Sequence, residues 1–157
     1  MGGAAATETV LADARETGRL IASSGWVLLT GGRDSGVMAE ASLGASEAGG
    51  LVVGILPGDT TDDAAPHIDI AIPTGMGDAR NAINVLASHV VIALPGGAGT
   101  ASEIALALKC DRPVVLLGFP LGAPFGQYYA SGRLMDAATP AEAIAITASF
   151  LAEKDLA

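Results

Sequence analysis

"VVIALPGGAGTASEIALALK", Val90 to Lys109, is the stretch that decides the fold. A short apolar run ends at Leu94, the turn after it carries Gly96, Gly97 and Gly99, and a run of helix formers follows at once. Strand, glycine turn and helix in that order are the unit of a doubly wound parallel sheet, whose ligands bind outside the carboxyl ends of the strands. The glycines strip the turn of all side chains but the small Ala98 methyl, and a helix opening near Thr100 presents unpaired N–H donors whose dipole favours an anion by roughly 0.3–1 kcal/mol at an exposed site. The turn is neither G-x-G-x-x-G with its acidic partner nor a Walker A loop, which disfavours NAD-linked hydride transfer and ATP hydrolysis.

The same rhythm runs along the rest of the chain. Residues 26–30, 51–56, 68–72, 90–94 and 113–119 read as strands, the richest of them without polar alternation, as expected where both faces are covered. Between them Glu8–Ser24, Gly36–Ala48, Asp78–Ser88 and Ala101–Lys109 read as helices, with Asp78 and Thr100 as N-caps. Leu134–Ala138 reads as a short edge strand before a last helix over Pro140–Lys154. Residues 57–67 are a polar loop, and residues 120–131 are broken up by Gly and Pro. No repeat or linker divides the chain, so residues 1–157 are expected to form a single domain. An α/β domain of this kind opens on a strand, whereas "MGGAAATE" leads straight into the first helix. Either the chain is shortened or its sheet lacks a strand that is usually central.

The 157 residues are enough for a proper core, and the apolar half is mostly Ala, Val, Ile and Leu. A formal charge of −9, with only eight Lys and Arg, makes long nucleic acid a poor partner. A small phosphorylated ligand remains open, because backbone amides and one Arg can hold a phosphate inside an acidic protein. The lone Cys110 has no disulfide partner within the chain, which fits the cytoplasm. No apolar run is long enough for a membrane span, and His67 and His89 stand apart from any metal-ligand spacing.

Two further stretches fall at strand ends. "TGGRDSGVM", Thr30 to Met38, carries Gly31, Gly32 and Gly36, which permit close backbone approach to a ligand or merely turn the chain. "TGMGDARNAIN", Thr74 to Asn84, follows a strand with Thr74 and Gly75. It then leads into a helix where Arg80, Asn81 and Asn84 either grip phosphate and sugar oxygens or form a solvated face opposite Ala79, Ile83 and Leu86. Glu103 has two readings as well. Thr100-Ala-Ser-Glu103 is a capping-box signature, as is Thr139-Pro-Ala-Glu142 before the last helix, far from any strand-end glycine loop.

"PGGAGTASE" resembles the P-G-G-x-G-T-x-x-E signature of LONELY GUY-type (LOG) proteins, often mislabelled lysine decarboxylases. The fuller resemblance, over about residues 20–119, is to the molybdenum cofactor carrier protein-like branch of that superfamily, carried by "TGGRDSGVMAEASLGASEAGGLVVGILPG" and "TGMGDARNAINVLASHVVIALPGGAGTASEIALALK". It implies a Rossmann-like fold with a mainly parallel sheet and helices on both faces, a homo-oligomer (dimer or tetramer), and a nucleotide-like or pterin-like ligand over the glycine loop. In the carrier branch that ligand is molybdenum cofactor, held noncovalently with no metal site of the protein's own. In LOG enzymes the signature glutamate and an arginine support hydrolysis of a nucleoside 5′-monophosphate such as AMP or a cytokinin nucleotide, and Glu103 and Arg80 occupy the matching positions. The residue after Arg80 is Asn81, where the enzymes carry Lys; the missing ammonium removes a phosphate-binding charge. The resemblance therefore implies binding by Gly31, Gly32, Gly36, Thr74, Gly75, Arg80, Asn81, Asn84, Gly96, Gly97, Gly99, Thr100 and Glu103. Glu103 and Arg80 would be catalytic only if the protein is an enzyme.

Overall fold

Apolar runs bounded by Gly and Pro become six short strands in the computed structural model, which describes residues 1–154; the last three residues of the expected domain lie outside the described residues. The strands are β1 (Leu28–Thr30), β2 (Val52–Leu56), β3 (Ile70–Pro73), β4 (Val91–Ala93), β5 (Val114–Leu117) and β6 (Leu134–Ala137). The helices are α1 (Glu8–Ser23), α2 (Gly36–Glu47), α3 (Asn81–Ala87), α4 (Ala98–Lys109), α5 (Gly126–Ala130) and α6 (Pro140–Lys154). All strand pairs are parallel, in the orders β1-β2-β3 and β4-β5-β6, so β6 is an edge strand as its position after the Gly/Pro-rich segment suggests.

The pleat of β5 shows why both faces had to be apolar. Val114 and Leu116 pack with Val85 of α3 and Ile104 and Leu108 of α4. Val115 and Leu117 point the other way, onto Ala14 of α1, Val37 of α2 and Ala143 of α6. All four β5 residues are 0–1% exposed, and burying each such side chain stabilises the fold by roughly 1.5–3 kcal/mol. The molecule is thus an α/β fold with helices on both faces of parallel strands. On the α1/α2 side the helices approach until backbones touch: a Cβ at Gly18 would land on the Ala41 carbonyl, and one at Gly44 on that of Arg15.

The strand ends differ from expectation in ways with local causes. Gly77, at φ +55°, starts a 3-10 turn over Gly77–Arg80 before α3, so Asp78 lies inside that turn instead of capping a helix. The face of α3 is also reversed: Arg80, Asn84 and Val85 are buried, whereas Leu86 is 55% exposed. Helix α4 begins at Ala98 with Gly97 as its N-cap, which moves Thr100 into the first turn and out of the capping position. The 120–131 segment, expected to be irregular, holds a 3-10 turn at Ala123–Phe125 and the short α5.

The start of the chain lies beside β4. The Met1 amine donates to the Ile92 carbonyl at 2.6 Å, and the Leu94 amide donates to the Met1 carbonyl at 2.9 Å. Gly3 N–H then donates to the Pro95 carbonyl at 3.1 Å, and Val37 N–H to that of Gly3. Between β1 and the rest of β4 no strand intervenes among the described residues.

Candidate functional site

The first turn of α4 stands at the carboxyl end of β4. Ala101 N–H donates to the Gly97 carbonyl at 3.1 Å, the first bond of the helix. The amides of Ala98, Gly99 and Thr100 before it have no internal partner among the described residues, the ordinary condition of a helix start that meets water or an anion. A Cβ at Gly97 or Gly99 would meet nothing within 4 Å, so the turn opens outward there. Gly96 has an inward role: a Cβ would fall on the Thr100 hydroxyl, which its absence lets tuck under the turn.

Arg80 reaches this turn from the far side. It is 6% exposed, and its Nη1 donates to Asn81 Oδ1 at 2.7 Å and lies 3.8 Å from Glu103 Oε1. The guanidinium lies over Gly31, where a Cβ would come within 2.6 Å of Nη2. Burial pulls the arginine below its ordinary value; the Glu103 carboxylate opposes that shift and the Arg33 charge adds to it. Arg80 nevertheless stays a cation at any physiological pH.

Glu103 serves no cap. Its Oε1 accepts from Asn84 Nδ2 at 3.3 Å and faces Arg80. The matching signature at Thr139–Glu142 does cap: Glu142 N–H donates to Thr139 Oγ1 at 3.2 Å, and Glu142 Oε2 accepts from Ala138 N–H at 2.8 Å. A carboxylate only accepts, which fixes the Asn84 amide with its nitrogen toward Glu103 and its oxygen away.

That arrangement leaves two buried polar atoms without partners, Arg80 Nε and Asn84 Oδ1. An unsatisfied buried group costs about 1–3 kcal/mol. A molecule offering an acceptor to the first and a donor to the second recovers that cost, so the site matches a ligand bearing both an anionic oxygen and an N–H or O–H.

One cavity of about 600 Å³ joins these groups. Of the residues singled out in the sequence, Gly31, Arg80, Asn81 and Asn84 line it from one side, and Gly97, Gly99, Thr100 and Glu103 from the other. Gly32, Gly36, Thr74, Gly75 and Gly96 are not among the residues that line it. Gly32 packs on Leu56 and Gly54, and Gly36 on the Gly3 and Ala4 carbonyls. Thr74 Oγ1 donates to the Leu56 carbonyl at 2.7 Å, and Gly75 N–H to that of Gly58 at 2.8 Å. The sequence reading passed over Arg33, which lines the same cavity while its backbone bridges to Ala64 of the polar loop. Its signal was a cation inside a strand-end glycine turn. Among the described residues no group of three His, Cys, Asp or Glu stands together as a metal site, and no helix is long and apolar enough to cross a membrane.

Parallel strands covered on both faces, with polar groups gathered at their carboxyl ends, define a Rossmann-like α/β protein. Within that class the chain belongs to the SLOG cluster4 family, whose sequence profile matches residues 1–144. It is similar in structure to the molybdenum cofactor binding protein of Rippkaea orientalis, with 48% identity and a TM-score of 0.87 over 93% of this chain and 90% of that one. The molybdenum cofactor carrier protein of Chlamydomonas reinhardtii is also 48% identical, with a TM-score of 0.88 over 97% of this chain and 94% of its own. An uncharacterized protein of Archaeoglobus fulgidus is 45% identical over 110 residues, 69% of this chain and 70% of the relative.

Proposed function

We propose that this chain binds molybdenum cofactor, a phosphorylated pterin, and carries it noncovalently in the cytoplasm without breaking any of its bonds. The observation that carries the reading is the unsatisfied pair, Arg80 Nε and Asn84 Oδ1, in two residues that line one cavity together with the open first turn of α4. The amides of Ala98, Gly99 and Thr100 hold the phosphate together with the Thr100 hydroxyl, and Arg80 neutralises it. Asn84 accepts from a ligand N–H, Glu103 fixes the orientation of both side chains, and Gly31 lets the guanidinium lie flat against the backbone. Gly97 and Gly99 leave the entrance free of side chains, and Arg33 attracts the anion from the rim.

Likeness to two proteins described as molybdenum cofactor binding or carrying supports the ligand class. The carrier reading is preferred to phosphoribohydrolysis because Asn81, in place of a lysine, spends its amide oxygen on Arg80 and adds no charge for a 5′-phosphate. A homo-oligomer fits Ile70 and Ile72, which lie 46% and 42% exposed on one side of the edge strand β3. The net charge of −9 argues against a nucleic-acid partner.

Protein purified and assayed without oxygen is expected to retain added molybdenum cofactor through gel filtration. It is expected to release no free base from AMP or isopentenyladenosine monophosphate. Base release that disappears in Glu103→Gln would replace the carrier with a hydrolase; loss of the cofactor on the column would end the carrier reading outright.

A further inference from the structure

One residue of the cavity wall departs from what packing alone requires. Met38 is the third residue of α2 and follows Val37, which is buried in the core with Ala14 and Val115. Met38 itself is half-buried, belongs to none of the apolar clusters among the described residues, and lines the cavity. Its sulfur converges on the same point as the Arg80 guanidinium. A Cβ built on Gly31 would come within 2.8 Å of Met38 Sδ and 2.6 Å of Arg80 Nη2. Glycine at position 31 thus leaves room for a thioether and a guanidinium to meet over the backbone.

A thioether is a weak acceptor, so it does little for the N–H groups beside it. Arg80 Nη1 donates to Asn81, Nη2 makes no hydrogen bond among the described residues, and Nε is buried without a partner. Oxidation of the sulfur would change that one property. Its lone pair attacks an oxygen of hydrogen peroxide, and an S–O bond forms as the O–O bond breaks. The departing hydroxide takes the proton of the transferred hydroxyl and leaves as water. Sulfur is oxidised by two electrons and the peroxide is reduced by two. The product, methionine sulfoxide, is polar, carries a strongly accepting oxygen, and is returned to the thioether by reductases.

We propose that Met38 is a redox-sensitive modification site: hydrogen peroxide converts it to the sulfoxide, whose oxygen accepts from Arg80 Nη2 and takes the guanidinium away from an anionic ligand. A cavity of about 600 Å³ that admits a ligand also admits peroxide, a far smaller molecule. The resulting fall in affinity rests on the cofactor binding proposed above. The oxidation and its contact with Arg80 do not.

The test exposes the unaltered chain, Met38→Leu and Met38→Gln to hydrogen peroxide and then removes it. Three things are measured before and after: the mass of the peptide carrying residue 38, the guanidinium nitrogen resonances of Arg80 without ligand, and the dissociation constant of molybdenum cofactor taken without oxygen. Met1, Met76, Met135 and Cys110 remain in both variants, so any change they cause is common to all three proteins. In the unaltered chain Met38 is expected to gain one oxygen, the Arg80 resonances to move, and affinity to fall by about tenfold or more, the measure of one hydrogen bond to a charged group. A methionine sulfoxide reductase restores all three. Met38→Leu keeps its resonances and affinity through the treatment, whereas Met38→Gln, whose amide oxygen imitates the sulfoxide, binds weakly before any peroxide is added. Oxygen gained at Met38 with unmoved Arg80 resonances overturns the proposal. So does an equal fall in Met38→Leu, full affinity in Met38→Gln, or a Met38 left intact once Met76 has been converted. An untreated chain that binds no cofactor ends the carrier reading instead, and the Arg80 resonances still decide whether the sulfoxide engages the guanidinium.

Discussion

Thr100–Glu103 and Thr139–Glu142 share one sequence signature and have opposite fates. At the second, threonine and glutamate close on the backbone around the start of α6. At the first, the glycine at position 97 takes the cap, the helix opens two residues before Thr100, and Glu103 is freed to meet Asn84 and Arg80. Capping thus depends on what precedes the signature. A glycine turn lets backbone alone begin the helix, and the side chains left over are available for a ligand.

Breaking the Arg80 side of this arrangement has the largest expected effect. Arg80→Gln removes the buried guanidinium that lies 3.8 Å from Glu103. It is expected to weaken binding of molybdenum cofactor by about thirtyfold or more, the measure of 2–5 kcal/mol for an unpaired charged partner. Next comes Thr100→Val, which should lower cofactor affinity by about tenfold, one hydrogen bond to a charged group, while shifting the urea midpoint little, because no cap is lost. Thr139→Val reverses that pattern: about 1 kcal/mol of stability is lost by urea denaturation and affinity is unchanged. A stability loss in Thr100→Val equal to that in Thr139→Val would erase the distinction between the two stretches.

The smallest effect is on pH dependence. Burial holds the Met1 amine below its ordinary value, and the Glu103 charge partly restores it. Between the lowered value and about pH 8 the unfolded chain keeps a proton that the folded chain has released, so stability rises with pH across that window and levels off above it. Glu103→Gln lowers the amine further and is expected to extend the rise to lower pH. Glu142→Gln should leave its position unchanged, as urea midpoints across the range would show.

The alternation of strands and helices was legible because strands covered on both faces leave uninterrupted apolar runs. The three strand-end stretches were legible because ligand chemistry gathers there. Arg80, Asn84 and Glu103 come together from positions the resemblance marked. The sequence was misleading wherever burial and polarity part company. Periodicity assigned the apolar face of α3 to Ala79, Ile83 and Leu86, yet the fold buries Arg80 and Asn84 because their partners lie on α4 and the β1 turn. Arg33 was missed because its glycine neighbours dominated the reading of that turn, and only the fold brings it to the cavity of Arg80.

The most direct measurement is the dissociation constant of molybdenum cofactor, taken without oxygen, for the unaltered chain, Arg80→Gln and Thr139→Val. The account predicts tight binding by the unaltered chain and by Thr139→Val, and a loss of about thirtyfold or more in Arg80→Gln. Equal affinity in all three would contradict it.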